Sequence, residues 1–245
     1  MHSFKYNLDN FVKQITLDET TWNSEKWELL FLFINQEVLT DAFEKHNLIT
    51  DIFPEIGEII ARKCKSMTRI EKKMTEQYLN RENYFKVISD FLAIRIHCNV
   101  NQIKDKIDYI KTIVISKGGY FHIRGSSVER PYGGFLDSNL NFKDIVQYMY
   151  VYLEEIGYVI EIQIGNEFAT QTFTIDSELR DDPNCKKVDL WTKGFYDDVK
   201  SFILNKANNI EFNDVEAKNN ILIKANDIHQ NNIHDELLII LNNLY

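Results

Sequence analysis

The chain has 245 residues, of which 44% are hydrophobic and 27% are charged; this is the composition of an ordinary soluble protein, and the length suits one domain with additional helices. No apolar run approaches the roughly 18 residues of a membrane span, and residues 1–10 lack the basic flank and apolar stretch of a signal peptide, so we expect a cytoplasmic protein with no membrane partner. The formal net charge of −9 at pH 7 excludes a protein that coats nucleic acid with its whole surface, so any anion site must be local.

The three cysteines, Cys64, Cys98 and Cys185, form no close pair in the sequence. We therefore expect free thiols, and neither a disulfide framework nor a zinc motif. His97 precedes Cys98, but without a second ligand pair this neighbourhood is more typical of a half-buried strand than of a metal site.

The first part of the chain has the apolar spacing of helices. Over residues 11–46 apolar side chains recur mostly at intervals of three and four, which predicts a helical N-terminal segment, placed at residues 1–62. Pro54 is tolerated in a first helical turn, so we predict that it opens a further helix through residues 55–60. Helical spacing continues over residues 64–78.

This last helix carries a basic stripe. Lys65, Arg69 and Lys73 stand at i, i+4 and i+8 and therefore share one side of the helix. Several cations that converge from one side are what a triphosphate requires. The alternative is a solvated face whose lysines pair with nearby glutamates.

Strands and a helix alternate next. Residues 91–98 form an apolar, isoleucine-rich run between polar residues, which predicts a strand. Helical spacing over residues 101–116 predicts a helix, which Gly118 and Gly119 end, and alternation over residues 120–124 predicts a second strand.

Residues 145–153 and 158–164 are predicted to form a β-hairpin with a four-residue loop. If Leu153 faces Tyr158 across this loop, apolar side chains line one face of the hairpin and can pack under helices. These side chains are Met149, Val151, Leu153, Tyr158, Ile160 and Ile162.

The same register places Tyr148 opposite Gln163 and Tyr150 opposite Glu161 on the other, open face of the hairpin. A carboxylate in a strand otherwise rich in isoleucine would be costly to bury unpaired. Glu161 must therefore face solvent, a cation or a ligand.

From Asn166 to Tyr245 the sequence is mostly helical in pattern, with interruptions near Pro183, Asn208 and Asn231.

All these elements together predict an α/β (α+β) fold. We expect a mixed, mainly antiparallel sheet of about five strands, with helices on one face and helical extensions at both ends. The domain is placed at residues 63–205 and the C-terminal extension at residues 206–245.

The order of these parts resembles the synthetase domain of the RelA/SpoT family of nucleotide pyrophosphokinases, and within that family the single-domain small alarmone synthetases and their toxin-type relatives. The resemblance runs from about Lys63 to Glu178. Two short segments carry it best, namely Asp90-Phe-Leu-Ala-Ile-Arg95-Ile and Glu161-Ile-Gln163-Ile.

The resemblance implies a site for the donor phosphates on a basic segment before the first strand. Lys63, Lys65, Arg69 and Lys73 occupy that place in this chain. The family usually begins the segment with arginine and has serine where Arg69 stands, so the chain departs from the pattern at both positions.

The resemblance also implies that Asp90 and Glu161 bind the Mg²⁺ ion that bridges the donor phosphates; carboxylate oxygens are ligands that suit this hard cation. Arg95 closes the first motif and Gln163 accompanies Glu161 in the second, so both are counted with the catalytic residues. Taken alone, Arg95 is equally consistent with a structural ion pair to either carboxylate, and Asp90 with the start of a strand.

On the acceptor side the family has Gly-Tyr-x-Ser-x-His, whose tyrosine stacks on guanine. Tyr148 matches this tyrosine, whereas Gln147, Tyr150 and Tyr152 replace the glycine, serine and histidine. We predict acceptor contacts from Tyr148 and Tyr152, against the alternative that the three tyrosines are ordinary strand formers. After the last strand the family often has Arg-Thr, and this chain has Gly-Asn at residues 165–166.

Taken together, the residue roles that the resemblance implies predict transfer of pyrophosphate from ATP to the 3′-hydroxyl of GDP or GTP. Mg²⁺ would be the cofactor, and alarmone synthesis would be the function. One alternative is a toxin-type enzyme that modifies the 3′ end of transfer RNA and has an antitoxin partner. Another is an inactive synthetase-like fold that is retained for binding. A homo-oligomer is compatible with all three.

Overall fold

The computed structural model describes residues 39–61, 92–170 and 194–229, together with positions 29, 32 and 36. Its α-helices and strands are, in chain order, α1 (Leu39–Ile52), β1 (Ile59–Ala61), β2 (Leu92–His97), α2 (Ile103–Ser116), β3 (Tyr120–Ile123), β4 (Val146–Tyr152), β5 (Val159–Gly165), α3 (Gly194–Ala207) and α4 (Asp214–His229), with short 3₁₀ helices at Val100–Gln102 and Gly133–Phe135. Within these ranges no helix is long and apolar enough to cross a membrane.

The five strands form one sheet in the order β1-β2-β5-β4-β3. The sheet is mixed and mostly antiparallel, and the fold is α+β, so the predicted fold class is confirmed. The isoleucine-rich run became β2, and the Glu-Ile-Gln-Ile segment lies within β5. The two strands that contain the family-like segments are therefore neighbours in the sheet.

The hairpin of β4 and β5 has the predicted register. Asn166 N–H donates to Ile145 O at 2.9 Å, which fixes the open end of the pair. At the closed end, Gly157 N–H donates to Leu153 O at 3.0 Å. Gly157 has a φ of 78°, a left-handed conformation that glycine adopts without steric cost.

One face of the hairpin is the apolar face that the sequence predicts. All six of its predicted side chains are at most 4% exposed: Met149, Val151, Leu153, Tyr158, Ile160 and Ile162. On α2, Ile103, Ile107, Ile110 and Val114 are fully buried at helical intervals. Each such side chain contributes on the order of 1.5–3 kcal/mol when it leaves water.

Residues 55–60 do not form the predicted helix. Pro54 lies in a turn after α1, and Gly57 follows with a φ of 99°. A left-handed residue ends helical geometry. The segment Ile59–Ala61 then pairs antiparallel with β2 as an edge strand.

The predicted interruption near Asn208 is confirmed, because α3 ends at Ala207 and α4 begins at Asp214. Asn208 holds this connection against Phe142. Its Oδ1 accepts a hydrogen bond from Phe142 N–H at 2.9 Å, and its Nδ2 donates to Phe142 O at 3.0 Å.

The chain divides into two compact units. The first comprises residues 1–96, 107–122 and 149–162, and the second comprises residues 97–106, 123–148 and 163–245. In the first unit, Glu55 N–H donates to the hydroxyl of Tyr109 at 3.3 Å. In the second, the buried Phe168 ring lies 5.9 Å from that of Phe195. The domain boundaries near residues 62 and 205 stay a prediction.

Candidate functional site

Tyr148 is the centre of a group of polar and aromatic side chains in the second unit. It is half-buried on β4, and its hydroxyl accepts a hydrogen bond from Gln163 Nε2 at 3.2 Å. This is the pair that the hairpin register predicts. Gln163 is only 1% exposed, so the prediction that it lies on an open surface was wrong. Strand alternation determines which face a side chain takes but not what covers that face.

Arg124 covers part of Tyr148. Its guanidinium carbon lies 5.2 Å from the centroid of the Tyr148 ring, within the range of a cation–π interaction. The two backbones are also paired, since Arg124 N–H donates to Tyr148 O at 3.0 Å. Arg124 is an exposed residue. The arrangement thus presents a cation to solvent beside an aromatic ring.

Tyr196 lies on α3, and Tyr148 is among the groups that influence its pKa. Burial, and then the charges of Asp144 and Tyr148, raise the pKa of Tyr196 above its usual value. Asp144 itself is paired with Lys200, whose Nζ lies 3.3 Å from its Oδ1. We refer to Arg124, Tyr148, Gln163 and Tyr196 as the Tyr148 cluster.

Three other predicted site residues are described in the first unit. Glu161 is half-buried on β5, two residues before Gln163. Arg95 lies on β2 opposite Ile60 and is 9% exposed. Tyr152 is half-buried at the end of β4.

The remaining predicted site residues are Asp90, Lys63, Lys65, Arg69 and Lys73. All five lie outside the described residues, so the magnesium pair and the phosphate stripe stay predictions. In the described part of the chain, no three or more His, Cys, Asp or Glu side chains come together as metal ligands.

Tyr150 has an aromatic neighbour that the sequence analysis did not identify. The His122 ring on β3 stacks on it, with 6.4 Å between centroids and 18° between planes. His122 is exposed. The family motif has serine and histidine where this chain has Tyr150 and Tyr152, and neither replacement indicates that an imidazole approaches from the neighbouring strand.

Cys98 and His97 follow their predicted placement near the end of β2. Burial raises the pKa of Cys98 to about 11, so the thiol is not ionised at neutral pH and is a poor nucleophile. His97 Nε2 lies 2.7 Å from the hydroxyl of Thr170, which is fully buried. These contacts are structural.

The departure from Arg-Thr after the last strand has a physical cause in this fold. A Cβ atom on Gly165 would lie 2.7 Å from Ile145 O and 2.8 Å from Val146 Cα. No side chain fits there without moving backbone. Asn166 then caps the helical residues that follow, since its Oδ1 accepts from Phe168 N–H at 2.9 Å.

No protein-family profile matches the chain, and no curated protein matches it. Among solved structures, the chain is similar to a GTP pyrophosphokinase family protein from Streptococcus pneumoniae, with 16% identity, coverage of 85% of this chain and 90% of that chain, and a TM-score of 0.40. It is also similar to small alarmone synthetase 1 from Bacillus subtilis bound to AMPCPP. The identity is 14%, the match covers 84% of this chain and 98% of that chain, and the TM-score is 0.34.

Proposed function

We propose that the chain is a RelA/SpoT-type pyrophosphokinase that transfers pyrophosphate from ATP to the 3′-hydroxyl of GDP or GTP. The observation that carries the proposal is the Tyr148 cluster. The tyrosine of the acceptor motif lies beside the glutamine of the Glu-Ile-Gln-Ile segment and has a guanidinium over its ring. Stacking on such a ring contributes roughly 1–3 kcal/mol to the binding of a base, and phosphate oxygens pair with an adjacent arginine.

In the proposed reaction the acceptor 3′-oxygen forms a bond to the β-phosphorus of ATP. The bond between that phosphorus and the oxygen bridging to the α-phosphate breaks, AMP leaves with this oxygen, and the hydroxyl proton passes to solvent. Tyr148 orients the acceptor base, and Arg124 pairs with acceptor phosphates. Such transfer depends mainly on alignment and on stabilisation of the phosphate charge.

Asp90 and Glu161 are proposed as the ligands of Mg²⁺. The chemistry of the Glu161 side chain fits this role, because a half-buried carboxylate on a strand supplies the hard oxygen ligand that Mg²⁺ prefers. When bound, Mg²⁺ would neutralise charge on the donor phosphates.

Lys63, Lys65, Arg69 and Lys73 are proposed to bind the donor phosphates. We expect the double substitution Lys65→Ala, Lys73→Ala to weaken ATP binding by about tenfold or more, because it removes two of the cations proposed to bind the donor phosphates. If these lysines lie on a solvated side of the helix, as the proposal requires, the melting temperature should change little. Calorimetric titration at two salt concentrations measures the effect. Wild-type affinity should fall with salt, and the variant should show a smaller fall.

The matched control for this experiment is Lys111→Ala, Lys117→Ala. These lysines pair at the surface with Asp108 and Glu155, so the variant loses the same charge elsewhere. If the Lys65, Lys73 variant binds ATP as tightly as this control, the stripe is a solvated face.

Tyr148→Ala is expected to raise the acceptor KM by about tenfold or more, because it removes the stacking surface. Tyr148→Phe keeps the ring and loses the hydroxyl that accepts from Gln163, so we expect less than about a threefold change. Steady-state kinetics with GDP as the varied substrate measures both. Tyr120→Ala is the control, because that tyrosine is 74% exposed. Equal effects of the two Tyr148 variants would argue for a hydroxyl contact and against stacking.

Incubation with labelled ATP and GDP, GTP or bulk transfer RNA tests the function itself. Labelled GDP or GTP derivatives together with AMP support the proposal. Label in transfer RNA alone would establish the toxin-type alternative. Nucleotide binding without any transfer would establish the inactive binding module.

A further inference from the structure

We propose that Gln147 is a positioning residue that holds Arg124 over the ring of Tyr148. The proposal rests on the proposed function in one respect, which is that this ring receives a nucleotide. Gln147 stands where the Gly-Tyr-x-Ser-x-His acceptor motif has glycine. Its side chain and that of Tyr148 lie on opposite faces of β4, because neighbouring residues of a strand face opposite sides.

The Gln147 amide connects three segments of the second unit. It is 5% exposed. Its Nε2 lies 2.6 Å from Tyr132 O and 3.4 Å from Arg124 O, and its Oε1 accepts from Tyr148 N–H at 2.7 Å. One buried side chain therefore ties both ends of the loop over residues 124–132 to β4.

This amide has room because residue 133 is glycine. A Cβ atom on Gly133 would lie 2.2 Å from Arg124 O and 2.9 Å from Gln147 Nε2. Gly133 also has a φ of 65°, which residues other than glycine rarely adopt. Glutamine at 147 and glycine at 133 are complementary in volume. The backbone at residue 133 therefore passes close to the Arg124 carbonyl.

Both backbone polar groups of Arg124 are consequently hydrogen-bonded. Its N–H donates to Tyr148 O, and its carbonyl accepts from Gln147 Nε2. An exposed arginine has many rotamers, so a fixed backbone restricts the positions that its guanidinium can reach. With glycine at 147 no side chain would be present to donate to the Arg124 carbonyl, and only the backbone bond to Tyr148 O would remain.

The test compares Gln147→Glu and Gln147→Met with the control Met149→Ala. The first variant replaces the donor by an acceptor, and the second removes it at similar volume. Met149 is fully buried two residues along the same face of β4, so its truncation also lowers stability but leaves the Gln147 amide in place. The measurement is the ring-current shift of the Arg124 Hδ resonance in ¹³C-arginine-labelled protein, assigned with Arg124→Lys.

We expect the shift to disappear in both Gln147 variants and to persist in Met149→Ala. The Kd for GDP should rise by about tenfold in the Gln147 variants and by less than about twofold in the control. If Gln147→Glu does not fold, Gln147→Met alone decides. A shift that persists in the folded Gln147 variants, or that is lost equally in Met149→Ala, overturns the proposal.

The two proposals fail separately. If the wild-type protein does not bind GDP, the proposed function is wrong, while the Arg124 resonance still decides whether Gln147 positions this arginine. If GDP binds and the resonance is insensitive to residue 147, only the positioning role is wrong.

Discussion

Glu161→Gln is expected to reduce pyrophosphate transfer by about a hundredfold or more. The substitution keeps the volume of the side chain, replaces one acceptor oxygen by an amide donor, and removes the charge that the proposed Mg²⁺ requires. Because Glu161 is half-buried on β5 and the change creates no cavity, we expect the melting temperature to change by less than about 2 °C. Release of AMP from labelled ATP in the presence of GDP, with the melting temperature of the same sample, measures both quantities.

Glu154→Gln is the matched control, because Glu154 is exposed in the turn of the same hairpin. It should transfer pyrophosphate at the wild-type rate. Transfer by Glu161→Gln at near that rate would remove the proposed magnesium ligand from the mechanism.

Gly133→Ala is expected to be strongly destabilising. The new methyl group would lie 2.2 Å from Arg124 O, and alanine at a φ of 65° costs about 1–2 kcal/mol before any contact is considered. With the displacement of backbone we expect a total of about 3 kcal/mol, which lowers the melting temperature of a chain of this size by roughly 6–12 °C. Thermal unfolding followed by circular dichroism measures the effect.

Gly134→Ala provides the comparison, since a Cβ atom there meets nothing within 4 Å. The two glycines are adjacent in the short 3₁₀ helix Gly133–Phe135, and we expect the second variant to melt within about 2 °C of the wild type. A Gly133→Ala protein as stable as Gly134→Ala would show that the loop moves aside easily. The anchoring of Arg124 through this loop would then be weaker than its hydrogen bonds indicate.

The hairpin was predictable in detail because the sequence features that determine it are close together in the chain. An alternating pattern, a four-residue loop and one assumed pair, Leu153 with Tyr158, were sufficient to predict the pairing of Tyr148 with Gln163. Side chains on a strand have a period of two, so one correct pair determines the rest.

The partners of Tyr148 outside the hairpin were not predictable. Arg124 follows a short strand and belongs to no motif, and Tyr196 is on a helix far along the chain. Their position beside Tyr148 depends on tertiary packing, which leaves no periodic signal in either segment. Gln147 was recognised only as a missing glycine, because a motif comparison does not show where a replacement side chain makes its bonds.

The short strand β1 was missed for a different reason. Two isoleucines and an alanine are too few residues to distinguish a strand from a helix by their spacing. Pro54 is compatible with a first helical turn, and Gly57 is typical of a turn but is also tolerated inside a helix. Pairing with β2 decides the conformation of Ile59–Ala61, and that strand lies far away in the sequence.

The sheet order has a consequence for the kinetics of folding. The pair β4 and β5 is joined by a four-residue turn, whereas β2 reaches β5 only after the chain has passed through α2, β3 and β4. Closing the longer loop costs more entropy, so the hairpin should form first. Two backbone amides report the order directly: Asn166 N–H, which donates to Ile145 O across the hairpin, and Cys98 N–H, which donates to Gly165 O at the end of β5. In pulse-labelled refolding, Asn166 should therefore gain protection from hydrogen exchange before Cys98 does.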